Sequence, residues 1–363
     1  MKEKKTTSKQ ETKEVKKLLK GKMKKYKVTT ADYVHTGSTM LNCALTGHPM
    51  RGFRKGGFYY FVGDSASGKT FFCLTCFAEA TLNKHFDDYD LIYDNIEGGA
   101  LMDIQKFFGT DVSRRMQSPL AGNSQTIEDM YYNLHDACES GRPFIYVTDS
   151  MDSLSSKSEG EKFVATKKAK RAGKKIAGSF GDGKARINSM CVRQFLKPLK
   201  DTGSILIIIN QTRANFDPMS FEKTTRSGGK ALGFYNNLEI WSSVKSRIKK
   251  TVRGQNLEIG SLCKLQVKKN RETGARRAVF VPIYHSYGID DIGSCIEFLI
   301  DTEHWAMKKN TIIAHDFDLK GTPEKLIHLI EDNDLLKDLR DLVGEVCNEI
   351  EDGAKLKRKK RYA

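Results

Sequence analysis

The apolar positions of this chain fall mostly in short unbroken runs rather than in alternation. Phe58–Val62, Asp90–Asp94 (DLIYD), Phe144–Thr148 (FIYVT) and Ser204–Asn210 (SILIIIN) are such runs, and Leu238–Val244, Ser261–Lys268 and Ala278–Ile283 continue the series. A short run that is apolar throughout predicts a strand buried on both faces. Helical spacing appears between them, at Lys69–Ala80, around Leu101–Phe108, at Ile127–Cys138 and at Met190–Leu199. Strands alternating with helices predict an α/β fold, a mostly parallel twisted sheet covered on both faces. Two stretches break the rhythm: 155–188, poor in apolar residues, and 212–230, rich in glycine and polar residues. Connections this long are functional or disordered. Past Asp301 the pattern predicts helices, one opening at Thr322-Pro323-Glu324 with Thr as cap and Pro in the first turn.

The first apolar run leads straight into GDSASGKT, Gly63–Thr70, and then into a helix. This is a nucleotide-binding P-loop in its proper setting of strand, glycine loop and helix. The backbone N–H groups of Gly63, Asp64, Ser65, Ala66, Ser67 and Gly68 are expected to surround a β-phosphate at a helix N-terminus, where the dipole favours anions. Lys69 is expected to reach the β- and γ-phosphates of ATP, and Thr70 to ligate Mg²⁺. Asp149 ends the FIYVT strand at the carboxyl edge of the sheet, beside the loop, as the metal's acidic partner, direct or through water. Asp152 reads as a cap.

Hydrolysis needs a group that orients or deprotonates water. Glu97, in YDNIEGGAL, and Asp94 in the same turn both qualify, with Glu97 preferred. Gln211 ends the fourth run next to the second irregular stretch. It suits either contact with a γ-phosphate, reporting nucleotide state to that stretch, or a plain turn.

The formal net charge is +16, which suggests a polyanionic partner; two basic tails would also account for it. Lys167, Lys168, Lys170, Arg171, Lys174 and Lys175 form a run without an acid. Such a run suits salt-dependent, sequence-blind contact with phosphates, or a solvated loop. Arg213, Arg226 and Lys230 add charge to the second stretch, where Phe216 and Phe221 could stack on bases or pack the segment down. The chain has eight cysteines, none at zinc-finger spacing. Cys73 and Cys76 sit in an apolar helix, so buried reduced thiols are expected, and with them a reducing compartment, the cytoplasm. No apolar run reaches membrane-spanning length, so no membrane partner is expected.

Seven segments, in order, resemble the RecA-type recombinases, including the phage-encoded UvsX branch: HTGSTMLNCALTG, GDSASGKT, IEGGAL, YVTDS, IIINQTR, TTRSGGKALGFYNNL and VKKNR. The resemblance runs over about 34–290. It implies a RecA-like P-loop NTPase core and a DNA-dependent ATPase that hydrolyses ATP to ADP and phosphate. It implies filaments on single-stranded DNA, pairing with duplex DNA, self-association, and loader or single-strand-binding proteins as partners. Carried over by position, Lys69, Thr70, Asp149, Glu97 and Gln211 keep the roles above. Lys269 and Arg271 become fingers that reach a neighbour's ATP. Gly228, Gly229 and Lys230 close the second DNA-binding loop. A phage origin would place the protein in the bacterial host cytoplasm. The implied organisation is a basic extension over 1–33, an ATPase core over 34–300 with DNA-binding loops near 155–188 and 212–230, and a helical region with a basic tail over 301–363. A DnaB-type ring helicase motor and a nucleotide-gated DNA-binding mediator share enough of these features to stand as alternatives.

Overall fold

The computed structural model describes residues 28–98, 102–173, 183–215 and 224–358. Lys174, Lys175, Phe216 and Phe221, and most of the basic extension, lie outside the described residues. Residues 28–32 hold one 3₁₀ turn, Thr30–Asp32, and a second unit runs from Tyr33 onward. Its strands are β1 Tyr33–Val34, β2 Phe53–Arg54, β3 Phe58–Gly63, β4 Asp90–Asn95, β5 Met116–Gln117, β6 Phe144–Asp149, β7 Ile205–Ala214, β8 Thr224–Arg226, β9 Leu238–Val252, β10 Gln255–Asn270, β11 Ala278–Tyr284, β12 Gly288–Ile289, β13 Ala306–Lys308, β14 Thr311–Ala314 and β15 Leu319–Gly321.

One large sheet carries the order β12-β11-β10-β9-β3-β7-β6-β4-β5, with β8 paired to β7 off that path. β3 lies between β7 and β9 and is parallel to both. The strand period of two divides its side chains cleanly between the faces. Tyr59 and Phe61 join one core with Phe72, Leu74 and Phe77 of the helix Lys69–Thr81. Phe58, Tyr60 and Val62 join the other, with Met130 and Leu134 of the helix Ile127–Glu139 and Val192, Phe195 and Leu199 of the helix Gly183–Thr202. β7 divides likewise, Ile205, Ile207 and Ile209 against Leu206 and Ile208. Burial on both faces is why these strands read as unbroken apolar runs.

The sheet departs from the expected parallel order beyond β9. β9, β10, β11 and β12 are joined antiparallel. The turn between β9 and β10 is Arg253-Gly254, both at positive φ (49° and 78°). Two residues cannot carry a parallel crossover, and positive φ at both central positions is the hairpin turn that matches strand twist.

Residues 155–188 are not a loop over their described length: Lys157–Arg171 is a helix, and the helix Gly183–Thr202 begins before the predicted Met190. Lys157–Arg171 buries no residue, so hydrophobic periodicity could not reveal it. It rests on a capping box between Ser156 and Glu159 and on the propensity of its Ala, Lys and Glu residues. The C-terminal region is also more than helices. A three-stranded antiparallel sheet, β13-β14-β15, precedes the predicted helix, which starts at Pro323 with Thr322 as its cap. Strands of three and four residues are too short to show a period.

Candidate nucleotide and DNA site

Every feature of the phosphate site follows from where β3, β6 and β7 end on one sheet edge. β3 delivers the loop. Gly63 leaves no room for a Cβ, which would meet the Ser242 carbonyl oxygen at 2.4 Å. Gly68 caps the following helix at φ 82°, in the left-handed region. Ser67 Oγ donates to the Asp64 carbonyl at 2.7 Å, holding the loop curled. The helix Lys69–Thr81 then turns its first N–H groups, which have no intrahelical acceptor, toward the concavity. Lys69 Nζ donates to the carbonyls of Gly63 (2.9 Å) and Asp64. Burial lowers its pKa, and the carboxylates of Asp149, Glu97 and Asp64 oppose that shift.

β6 delivers Asp149. Its Oδ2 accepts from Thr70 Oγ1 at 2.6 Å and from the Tyr93 hydroxyl at 2.9 Å. Burial raises the Asp149 pKa, while those two hydrogen bonds pull it down. A hydroxyl and a carboxylate in contact are hard oxygen donors, the set that suits Mg²⁺. The Asp149–Ser150 peptide is cis. Tyr93 is a partner the sequence reading missed; a tyrosine in the apolar run DLIYD reads as core.

Asp94 and Glu97 are placed very differently. Asp94 is fully buried and accepts from Ser124 N (2.8 Å), Ser124 Oγ (2.6 Å) and the Tyr146 hydroxyl (2.8 Å). Its acceptors are spent on holding the 122–126 turn. Glu97 is exposed at the sheet edge. Its Oε1 accepts from the hydroxyls of Ser150 and Ser153, the latter at 3.0 Å, and from Gln211 Nε2 at 3.1 Å.

That last bond joins the turn after β4 to β7 and brings together two residues far apart in the chain. Immediately beyond, the main chain of Gln211 donates to Asp152 Oδ2, whose other oxygen accepts from Ser227 Oγ and, at 3.4 Å, from Arg213. Asp152 is therefore not the helix cap it was expected to be. It clips the base of the second irregular stretch to the end of β6. Lys184 donates to its carbonyl at 2.9 Å, tying in the helix that follows the first stretch.

The return limb of that second stretch is also seated. Asn188, fully buried on the helix Gly183–Thr202, donates from Nδ2 to the Gly228 carbonyl at 2.8 Å and accepts from the Tyr131 hydroxyl at 2.8 Å. Gly228 and Gly229 take φ of 79° and 82°. Lys230 opens the helix Lys230–Tyr235. No single-residue signal marks Asn188 or Asp152 in the sequence, since their partners lie 40 and 59 residues away.

The predicted DNA contacts separate into groups. Lys167, Lys168, Lys170 and Arg171 are exposed on the last turns of their helix, with Phe163 (64% exposed) one turn earlier. Arg213 is exposed. Arg226 is only partly exposed: its guanidinium pairs with the nearly buried Glu239 at 2.8 Å and lies over the Tyr60 ring.

Lys269 and Arg271 are not brought to the chain's own phosphate loop. Lys269 pairs with Glu239, which pairs with Tyr60, three residues before the strand end at Gly63. That is about 10 Å along the strand. Lys269 Nζ donates to the carbonyls of Gly233 (2.8 Å), Phe234 (2.9 Å) and Asn236 (2.8 Å), and Arg271 also reaches the Phe234 carbonyl. Burial, then the Arg271 charge, lowers the Lys269 pKa to about 8.

Cys73 and Cys76 are fully buried, as expected. Among the described residues no helix is long and apolar enough to cross a membrane.

A P-loop at the end of the central strand β3, an acid at the end of β6, separated from β3 by β7 alone, and a glutamate hydrogen-bonded to Gln211 at the same edge define an ATPase of the RecA-like core fold. The sequence matches the RecA N-terminal domain family over residues 5–290, and the chain belongs to that family. It is similar to "Protein RecA" of Clostridioides difficile, 26% identical over 328 residues, 87% of this chain and 84% of that one. It is also similar to "Protein RecA" of Chlorobaculum parvum (27% over 278 residues; 74% and 70%) and of Corynebacterium jeikeium (27% over 326 residues; 87% and 76%). The family is one of ATP-dependent DNA recombinases: DNA-dependent ATPases that use ATP with Mg²⁺, bind single-stranded and duplex DNA, and form helical filaments. The ring-helicase and non-catalytic mediator readings are not favoured.

Proposed function

We propose that in this recombinase the occupied nucleotide site is felt by DNA through one amide side chain. The observation that supports it is the hydrogen bond from Gln211 Nε2 to Glu97 Oε1 at 3.1 Å. Gln211 sits where β7 leaves the sheet, and its own N–H is clipped to Asp152, which also holds Ser227 of the return limb. A γ-phosphate drawing the amide away from Glu97 would free the carboxylate to orient water and would pull on both limbs of the second loop.

In this reading Lys69 binds phosphate, and Thr70 with Asp149 holds Mg²⁺, which supplies charge neutralisation at the transferring phosphoryl group. Glu97 orients the attacking water. Asp94 keeps its turn in place and takes no part in chemistry. Lys167, Lys168, Lys170, Arg171 and Arg213 grip the DNA backbone. Lys269 and Arg271, at the sheet edge away from their own loop, serve a neighbouring subunit's nucleotide. The domains divide at 33 and 300. Within the family the chain falls in the phage UvsX-like branch and acts in the host cytoplasm with loader and single-strand-binding proteins.

DNA-stimulated ATPase assays on Gln211→Ala and Lys69→Ala test the coupling. Lys69→Ala loses turnover. Gln211→Ala retains nucleotide binding but loses stimulation by single-stranded DNA. Full stimulation in Gln211→Ala refutes the coupling. Mixing Lys269→Ala with Lys69→Ala tests action across subunits, where linear dilution of activity would count against it.

A further inference from the structure

The C-terminal region carries a cluster of metal-ligating side chains remote in sequence from every residue of the ATP site. His304, His315 and Asp316 each offer one donor atom, and these atoms all lie within 4.8 Å of one another. His304 Nε2 lies 3.1 Å and His315 Nε2 3.5 Å from the same Asp316 Oδ2. We propose that these three side chains form a binding site for a divalent borderline cation, Zn²⁺, which staples the turn after the helix Asp291–Asp301 to the turn after β14.

The geometry fits the ion. Zinc–nitrogen and zinc–oxygen bonds of about 2.0–2.2 Å in a tetrahedron place neighbouring ligand atoms roughly 3.3 Å apart. The two nitrogen–oxygen separations bracket that value. Both ligand-bearing turns are fixed before any ion arrives. The first is held by Trp305 N donating to the Leu299 carbonyl at 2.8 Å. The second is a 3₁₀ turn, His315–Phe317, closed by Asp318 at φ 52°. The buried Trp305 ties the two together, donating from Nε1 to Asp316 Oδ2 at 2.7 Å while its ring packs edge-on against Phe317. A buried N–H that orients a ligating carboxylate is the support that metal sites require.

The chemistry selects the metal. Two imidazoles and one carboxylate suit zinc, whereas Mg²⁺ prefers an all-oxygen shell. The magnesium of the ATP reaction therefore does not compete. Three protein ligands leave a fourth position for water.

The test uses the full chain, stripped of metal by a chelator and titrated calorimetrically with ZnCl₂ in excess Mg²⁺. The expected result is one equivalent bound by the unaltered chain, affinity at least about 10-fold weaker in His315→Ala, and loss of that equivalent in the His304→Ala/His315→Ala double variant. His315 is largely exposed, so its single variant keeps the fold. The variants retain all eight cysteines and the exposed His135, Asp136 and Glu139 cluster, and uptake that persists undiminished in the double variant places the ion elsewhere and overturns the proposal. Histidine-selective NMR of the unaltered chain gives an independent readout. Zn²⁺ is expected to shift two of the eight histidines, and shifts in none, or in all equally, also overturn it. A rise in the thermal midpoint with Zn²⁺ is expected in the unaltered chain and not in the double variant.

Discussion

Gly229→Ala probes how tightly the second loop must close. Gly229 has φ 82° and ψ 178°, a combination essentially reserved for glycine; imposing it on alanine costs about 1–3 kcal/mol. The new Cβ would also stand 2.8 Å from Ala185 Cβ and 3.1 Å from Ala185 Cα, so backbone rather than a flexible side-chain end must give way. Taking the dihedral cost alone as roughly 2 kcal/mol, the equilibrium for seating the return limb shifts about 30-fold. The cost falls on a local clip, so a chain of this size loses only a few degrees of thermal midpoint. The assay is fluorescence anisotropy of a labelled oligothymidylate with a non-hydrolysable ATP analogue at fixed salt, since salt alone moves such affinities greatly. The expected result is binding weakened about 30-fold or more. Gly229→Ala/Ala185→Gly, which removes the 2.8 Å Cβ contact but keeps the 3.1 Å approach to the residue 185 Cα and the dihedral cost, recovers only part. Binding by Gly229→Ala within twofold of the unaltered protein would refute the claim that this seat governs DNA affinity.

Asp94→Asn replaces one accepting oxygen by an NH₂ donor that faces either Ser124 N or the Ser124 and Tyr146 hydroxyls, and lowers stability by about 1–3 kcal/mol, read as a lower thermal midpoint. Glu97→Gln leaves the midpoint unchanged and cuts DNA-stimulated turnover about 100-fold or more; equal effects in the two variants would contradict their separation. Lys269 titrates near 8, below an ordinary lysine. Between about pH 8 and the ordinary lysine range the unfolded chain then holds more protons than the folded one, so stability rises with pH across that window. Melting curves of the DNA-free protein should show the rise, and Lys269→Met should lack that increment. Arg340 makes two hydrogen bonds to Asp291 Oδ2 (3.0 and 2.9 Å), while Asp291 also accepts from Thr39 N and Thr39 Oγ1. Arg340→Ala strands a nearly buried carboxylate and lowers stability by about 3–5 kcal/mol, measured by denaturant unfolding.

The sequence by itself determined whatever rests on neighbours along the chain. The runs FYYFV, FIYVT and LIII announce buried parallel strands because a two-faced core needs apolar residues at every position. GDSASGKT announces a phosphate loop because its turn, lysine and threonine are contiguous, and Asp149 was legible because it ends such a run. Tertiary structure alone set Asp94 apart from Glu97, three residues away, since only packing shows that Ser124 and Tyr146 donate to the buried former while the latter is exposed. It also found Asp152, Asn188 and Tyr93, whose hydrogen-bond partners are remote in sequence. It paired Arg226 with Glu239, joined β9 to β12 antiparallel from a two-residue turn onward, and made a helix of Lys157–Arg171, which buries nothing and so leaves no hydrophobic trace. Short-range patterns encode which local conformations are cheap; which polar groups meet across the chain depends on strand order and register, which no single segment carries.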